Sequence, residues 1–185
     1  MPEFMKETSK LIAFALRHKP GALNLQMDGK GWVSTADLVK ALNARQPFTM
    51  EMLEEIVRTD GKQRYSFSED RTRIRANQGH SIPMDLDLLP LEPPRTLWHG
   101  TGDRFAESIS RQGLKKQGRQ YVHLTDSAET AVAVGRRHGR PVVFEINAAL
   151  MYERGYRFYR SENGVWLTDG VPPEYISLLG GEGGK

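Results

Sequence analysis

Arg64-Tyr65-Ser66-Phe67-Ser68-Glu69-Asp70-Arg71-Thr72-Arg73-Ile74-Arg75-Ala76 decides the architecture of the first half of this chain. Tyr65 and Phe67 alternate with serines, and Ile74 and Ala76 alternate with arginines. A period of two puts one apolar face of each run against a core. The polar Glu69-Asp70 between the runs makes them a hairpin. Upstream, the period changes to that of a helix. Lys6 to Arg17 places Leu11, Ile12, Ala15 and Leu16 on one face, and Pro20-Gly21 stops it, leaving Arg17 and His18 at its C-terminal end. Asp28-Gly29-Lys30-Gly31 is a turn before Trp32-Val33. Ser34 opens a second helix with Asp37 in the capping-box position and Leu38, Val39 and Leu42 as its buried stripe. Thr49 opens a third, carrying Met52, Leu53, Ile56 and Val57, and Asp60-Gly61 ends it.

Three helices followed by a hairpin is the order of a winged-helix lobe, expected over residues 5–80. Residues 81–96 hold Pro83, Pro90, Pro93 and Pro94 among acidic and leucine residues, a composition that continues neither a helix nor a central strand. They are expected to be a linker. Beyond them, Leu97–His99 and Tyr121–Leu124 are strands, and Asp103–Arg111 and Ser127–His138 are helices. Val142–Ile146 is a continuous buried strand. Asn163-Gly164 signals a two-residue hairpin turn between Arg157–Arg160 and Val165–Leu167, and Tyr175–Leu179 is a last strand. The fold class is α+β, with a β-rich second lobe over 97–180. Met1–Phe4 precede a second methionine, Met5, and read as an extension, and Gly180–Lys185 as a frayed tail.

The chain has 185 residues, 26 basic and 23 acidic side chains, and no cysteine. The absence of cysteine excludes disulfides and thiolate–metal sites and makes a reducing cytoplasm the expected compartment. No apolar stretch has the length of a membrane helix. Residues 1–93 carry 13 basic and 13 acidic side chains, whereas residues 94–185 carry 13 and 10, with ten of those bases arginine. Guanidinium forks match phosphate oxygens, so the arginine excess is compatible with a polyphosphate or nucleic-acid ligand and equally with a solvated surface. The neutrality of the first half disfavours a winged-helix protein that only grips a phosphate backbone.

His18, His80 and His99 lie in polar, glycine-bearing settings, but no histidine pair has zincin spacing, so no metal is expected. Neither a Gly-x-Gly-x-x-Gly fingerprint nor a P-loop is present. Trp98-His99-Gly100-Thr101-Gly102 follows a strand, where glycines let a ligand approach the backbone and His99 and Thr101 offer polar groups. On residue type alone it is as readily a surface turn, and His123 within Tyr121-Val122-His123-Leu124-Thr125 as readily a hydrogen-bonded core residue.

Six segments, in this order and spacing, change that balance. They are Leu16-Arg17-His18-Lys19-Pro20, Gly31-Trp32-Val33, Lys62-Gln63-Arg64-Tyr65, Ile74-Arg75-Ala76-Asn77-Gln78-Gly79-His80-Ser81, Trp98-His99-Gly100-Thr101 and Val122-His123-Leu124-Thr125. From about Ser9 to Leu178 the chain resembles the tRNA/RNA 2′-phosphotransferase family, in which a winged-helix lobe is joined to an ADP-ribosyltransferase-like lobe. Small departures are Tyr65, where phenylalanine is common, and Tyr121 before Val122, where histidine is frequent. The resemblance implies a catalytic set of Arg17, His18, Arg64 and Arg119. It implies an NAD site of His99, Gly100, Thr101, His123, Thr125 and Val165, with Val165 resting on its position after the Asn163-Gly164 turn. Gln78, Gly79, His80 and Ser81, where wing meets linker, are expected to touch phosphate or RNA or to pack the lobes.

The resemblance also implies a two-step reaction, as in tRNA splicing or RNA repair. An RNA 2′-phosphate attacks the anomeric carbon of NAD's nicotinamide-bearing ribose, and nicotinamide leaves. The ribose 2″-hydroxyl then attacks phosphorus, giving 2′-hydroxyl RNA and ADP-ribose 1″,2″-cyclic phosphate. A phosphate monoester, with a second pKa of about 6, is its own nucleophile. That suits apolar Val165 where other ADP-ribosyltransferases place a glutamate, because a carboxylate there would repel the dianion. In the second step arginines stabilise the phosphoryl transition state, and His18 moves a proton. NAD is thus a consumed co-substrate, RNA bearing a 2′-phosphate the partner, and a monomer the expected state. Two alternatives are an ADP-ribosyltransferase that leaves ADP-ribose on a nucleic-acid terminal phosphate or a protein, and a non-enzymatic winged-helix nucleic-acid binder.

Overall fold

Ser34 and Thr49 cap helices as their positions predict, their hydroxyls accepting the Asp37 and Met52 backbone N–H groups at 3.1 and 3.4 Å. The computed structural model describes residues Pro2–Leu179, so the expected frayed segment Gly180–Lys185 lies outside the described residues, as does Met1. The chain divides into two units, one ending at Asp87 and the other starting at Leu88.

The first unit runs α1 (Glu3–Arg17), a 3-10 turn (Pro20–Leu23), β1 (Val33–Ser34), α2 (Thr35–Asn43), α3 (Met50–Thr59), β2 (Tyr65–Phe67) and β3 (Arg73–Ala76). β3 is the middle of an antiparallel sheet, with Ile74 opposite Val33 and Ala76 opposite Tyr65. Ile12, Leu16, Leu38, Leu53, Ile56 and Ile74 are fully buried in one core, which is the sum of the three helical stripes and the apolar face of the hairpin. α1 starts three residues earlier than its apolar period suggests. Met5 is buried at 6% exposure, and Glu3 lies in the first turn of the helix, where its dipole favours an anion.

The second unit contains β4 (Thr96–Gly102), α4 (Ala106–Gln112), β5 (Leu114–Lys115), β6 (Val122–Leu124), α5 (Ala128–Gly135), β7 (Pro141–Asn147), α6 (Ala148–Glu153), β8 (Phe158–Arg160), β9 (Trp166–Thr168), β10 (Gly170–Val171) and β11 (Ile176–Leu178). Strand orders are β11-β7-β4, β6-β9-β8 and β10-β5, all antiparallel. A bridge between Trp98 and Thr125, closed by N–H···O bonds of 2.8 and 2.9 Å, ties the first two sheets together. The whole chain is α+β.

Several local expectations change. The β8–β9 loop is not a two-residue turn. Ser161 and Val165 pair through the Ser161 N–H and hydroxyl, and the three residues between them end in Gly164 at φ +80°. That is a type I turn closed by a left-handed glycine, the usual three-residue hairpin solution. α5 stops at Gly135 and tightens into a 3-10 turn over Arg136–His138, and Asp103–Phe105 is likewise 3-10. Of the proline-bearing segment, Asp85 and Asp87 bond back to Gly29 and Lys30, and Leu91 donates to the Phe158 carbonyl.

α5 packs on β4 through Ala131 and Gly135, one helical turn apart and both buried. The approach is so close that a Cβ on Gly100 would lie 1.7 Å from the Ala131 carbonyl oxygen, and one on Gly102 2.3 Å from the His138 carbonyl. Gly100 is therefore required by helix–strand packing. Both partners are backbone and cannot turn away, so Gly100→Ala is expected to destabilise the chain by about 3 kcal/mol or more. Thermal unfolding of the variant against wild type measures this, and an unchanged midpoint would refute the packing assignment.

Candidate functional site

Arg17 is the last residue of α1 and His18 its C-cap, so both side chains leave the helix where its carbonyls lack partners. The loop after β3 supplies one partner: the Ser81 N–H donates to the Arg17 carbonyl at 3.0 Å. The same serine holds the imidazole, its Oγ lying 2.9 Å from His18 Nδ1. Gly79 makes the loop's turn at φ +89°, with the Arg17 guanidinium carbon 3.6 Å from where a Cβ would stand. His80, between them, is only 1% exposed. Burial, and then the charges of Arg17, His18 and Arg75, lower its pKa to about 4. Gln78, beside them, is part-buried.

Arg64 stands at the start of β2 and is held by Asp60. One Asp60 oxygen accepts the Arg64 backbone N–H at 2.7 Å, and the other is paired with the Arg64 guanidinium. Asp60 is 8% exposed, so this is a desolvated carboxylate fixing a cation. Asn77 steadies the turn from the other side, donating from its backbone to the Arg64 carbonyl and from its amide to the Gln63 carbonyl, both at 2.8 Å. Burial raises the pKa of the Tyr65 hydroxyl, against the hydrogen bond to Ser9 and the charges of Arg17 and Arg64, which lower it. Arg17, His18, Gly79, His80 and Ser81 are thus brought together in the first unit, and Arg17 and Arg64 are both within electrostatic reach of Tyr65. Asp60 went unrecognised in the sequence, where Asp60-Gly61 marks only a helix end. The available signal was an acid four residues before Arg64.

In the second unit, Arg119, His123 and His99 form a chain of contacts. An arginine only donates, so the 3.0 Å contact of Arg119 Nη1 with His123 Nδ1 makes Nδ1 the acceptor. A carbonyl only accepts, so His99 Nδ1 donates to the His123 carbonyl at 3.0 Å. Burial lowers the pKa of His99, with His138 and Arg119 adding to it against the carbonyl bond, and the ring stays neutral with a lone pair on Nε2. Two imidazoles beside a guanidinium offer donors and acceptors that suit hydroxyls and phosphate oxygens. Thr101, in β4 with Gly100, is buried, while Thr125, in the bridge to Trp98, is part-buried. Val165 is part-buried and closes the β8–β9 turn on Ser161. Among the described residues no group of three or more His, Asp or Glu side chains is placed to hold a metal.

A family model described as RNA 2′-phosphotransferase, Tpt1 / KptA family, matches residues 4–170. A protein of Acaryochloris marina is 52% identical over 95% of this chain and 98% of its own length. One of Nostoc punctiforme is 48% identical over 92% and 95%, and one of Flavobacterium johnsoniae 45% identical over 94% and 96%. Each bears the name "Probable RNA 2'-phosphotransferase". The chain belongs to the RNA 2′-phosphotransferase family.

Membership makes this chain a transferase. The burial of His80 has a measurable signature of its own. Its folded-state pKa of about 4 lies below the ordinary 6.5, so the unfolded chain binds more protons between those values. Stability from keeping His80 neutral is complete above pH 6.5 and is lost as pH falls toward 4, by about 3 kcal/mol at pH 4. Urea unfolding at pH 7 and pH 5, for wild type and His80→Phe, isolates this contribution. Equal pH slopes in the two proteins would contradict it.

Proposed function

We propose that the chain removes a 2′-phosphate from RNA by passing it to the ADP-ribose portion of NAD. NAD supplies an anomeric carbon with nicotinamide as leaving group. The 2′-phosphate, already ionised near neutral pH, attacks that carbon as nicotinamide departs. The adjacent ribose 2″-hydroxyl then attacks phosphorus, and the RNA leaves with its 2′-hydroxyl restored. Arg17, Arg64 and Arg119 grip phosphate oxygens bidentately and offset the charge that builds on phosphorus. His18 moves the proton that the 2″-hydroxyl loses or the 2′-oxygen gains. His99, Gly100, Thr101, His123, Thr125 and Val165 line the NAD pocket, and the Gln78–Ser81 loop (Gln78, Gly79, His80 and Ser81) touches phosphate or RNA. On this reading the first unit is a winged-helix lobe that receives RNA, and the second an ADP-ribosyltransferase-like lobe.

The observation that carries this reading is the Arg17–His18–Ser81 junction: a histidine fixed at Nδ1, beside an arginine, on the end of α1. A metal is not required, because the nucleophile is anionic from the start. The experiment follows nicotinamide release in EDTA, with and without an oligoribonucleotide carrying one internal 2′-phosphate. Release is expected only with the phosphorylated RNA, at one nicotinamide per phosphate removed. Release that ignores the 2′-phosphate would overturn the reading, as would turnover that chelator abolishes and one divalent cation restores.

A further inference from the structure

Trp32 takes no part in the reaction drawn above, but its neighbour Gly31 packs against the loop that holds His18. It follows Gly31, which turns at φ +80°, and a Cβ on Gly31 would lie 3.6 Å from His80 Nε2. His80 belongs to the loop whose next residue, Ser81, holds His18. The turn is rigid, because Asp28 Oδ1 accepts the backbone N–H groups of Lys30 and Trp32, both at 2.9 Å.

β1 begins directly after Trp32 and pairs with β3 in the register Val33–Ile74. That pairing sets the indole beside Arg73 and Arg75, alternate residues on one face of β3. The Arg75 guanidinium carbon lies 4.5 Å from the Trp32 ring centroid, and that of Arg73 5.5 Å. Trp32 and Arg75 are partly exposed, and Arg73 is exposed. Arg73 reaches Asp28 only at 3.8 Å, with both side chains about half exposed, so that pair holds it weakly. Lys30 is engaged by Asp87 at 2.8 Å.

An aromatic ring interleaved with guanidinium planes is what unpaired nucleotides stack on, and the arginines add attraction for the backbone. We infer that Trp32, Arg73 and Arg75 form a platform for the nucleotide adjoining the 2′-phosphorylated one in single-stranded RNA. The base extends the indole–guanidinium stack, and the phosphodiester meets Arg73. Bases stacked inside a duplex cannot reach it, so the platform selects unpaired RNA around the modified position. This inference rests on the proposed function.

The test uses 2′-phosphorylated oligoribonucleotides that are intact, or abasic at one flanking position or the other. For each, kcat/KM with NAD and the binding constant without NAD are measured for wild type, Trp32→Phe and Trp32→Ala. Loss of one base stack corresponds to roughly 10- to 100-fold. Trp32→Ala is expected to lose that much on the intact RNA, with Trp32→Phe recovering most of it. One abasic flank is expected to cost wild type a similar factor and to cost Trp32→Ala nothing further. In binding, Arg73→Ala is expected to lower the salt slope by about one.

Equal losses of Trp32→Ala on intact and abasic RNA would overturn the platform, as would duplex RNA binding as tightly as single strands. If Trp32→Ala does not fold, Trp32→Phe and the abasic series on wild type decide the matter. Failure of the catalytic reading looks different: wild type then binds these RNAs without releasing nicotinamide, and the intact-to-abasic binding ratio alone judges the platform.

Discussion

Arg64→Ala and Arg119→Ala are each expected to lower turnover by about 10²–10³-fold, the cost of removing one preorganised donor from a transition state that gathers negative charge. Their structural consequences should differ. Arg119 is exposed, so its loss leaves the fold untouched. Arg64 is the partner of a carboxylate that is 8% exposed, and without its guanidinium Asp60 would keep the backbone N–H donors of Lys62 and Arg64. Leaving part of a buried acceptor unsatisfied costs about 1–3 kcal/mol, so Arg64→Ala should be less stable yet still folded. Arg64→Lys separates the two effects: the ammonium can remain beside Asp60 but offers no planar fork to phosphate. It should recover stability and remain slow. Near wild-type kcat in any of these three variants, with a normal circular dichroism spectrum, would remove that arginine from the reaction.

His18→Ala should change which species accumulates. The first step needs no proton transfer to activate its nucleophile, whereas in the second a ribose hydroxyl loses a proton while the 2′-oxygen gains one. General acid–base catalysis contributes about 10²–10⁴-fold to such a step. The variant is therefore expected to slow the second step by that factor and the first by little. RNA still joined through its 2′-phosphate to ADP-ribose should build up, and single-turnover samples followed by mass would display it. A variant that stalls with NAD and RNA unreacted would place His18 in binding or in the first step. A variant that runs at the wild-type rate would reduce His18 to a helix end.

Much of this is legible in the sequence. The apolar periods around Ile12, Leu38, Leu53 and Ile74 point to their elements, because each has a face to bury and a cap or turn to bound it. Short elements were not legible. β5 and β10 are two residues long and carry no period, and α6 has six residues, announced only by the Asn147 side chain accepting the Leu150 N–H. Gly100 shows another limit. The sequence places Gly100 in an open turn after a strand, but it lies within β4, with the Ala131 carbonyl, a neighbour remote in sequence, against the position of its missing Cβ. The candidate site was legible as a set of residues because motif order carries it. What holds those residues was not: Asp60 behind Arg64, Ser81 on His18 and Arg119 on His123 are contacts that folding creates.

The central claim is the destination of the phosphate. An oligoribonucleotide carrying a single radiolabelled 2′-phosphate, incubated with excess protein and NAD in EDTA, reveals it in one chromatographic step. The label is predicted to leave the RNA and appear in ADP-ribose 1″,2″-cyclic phosphate, with the RNA regaining its 2′-hydroxyl. Label released as inorganic phosphate, or retained permanently on RNA, would contradict the account.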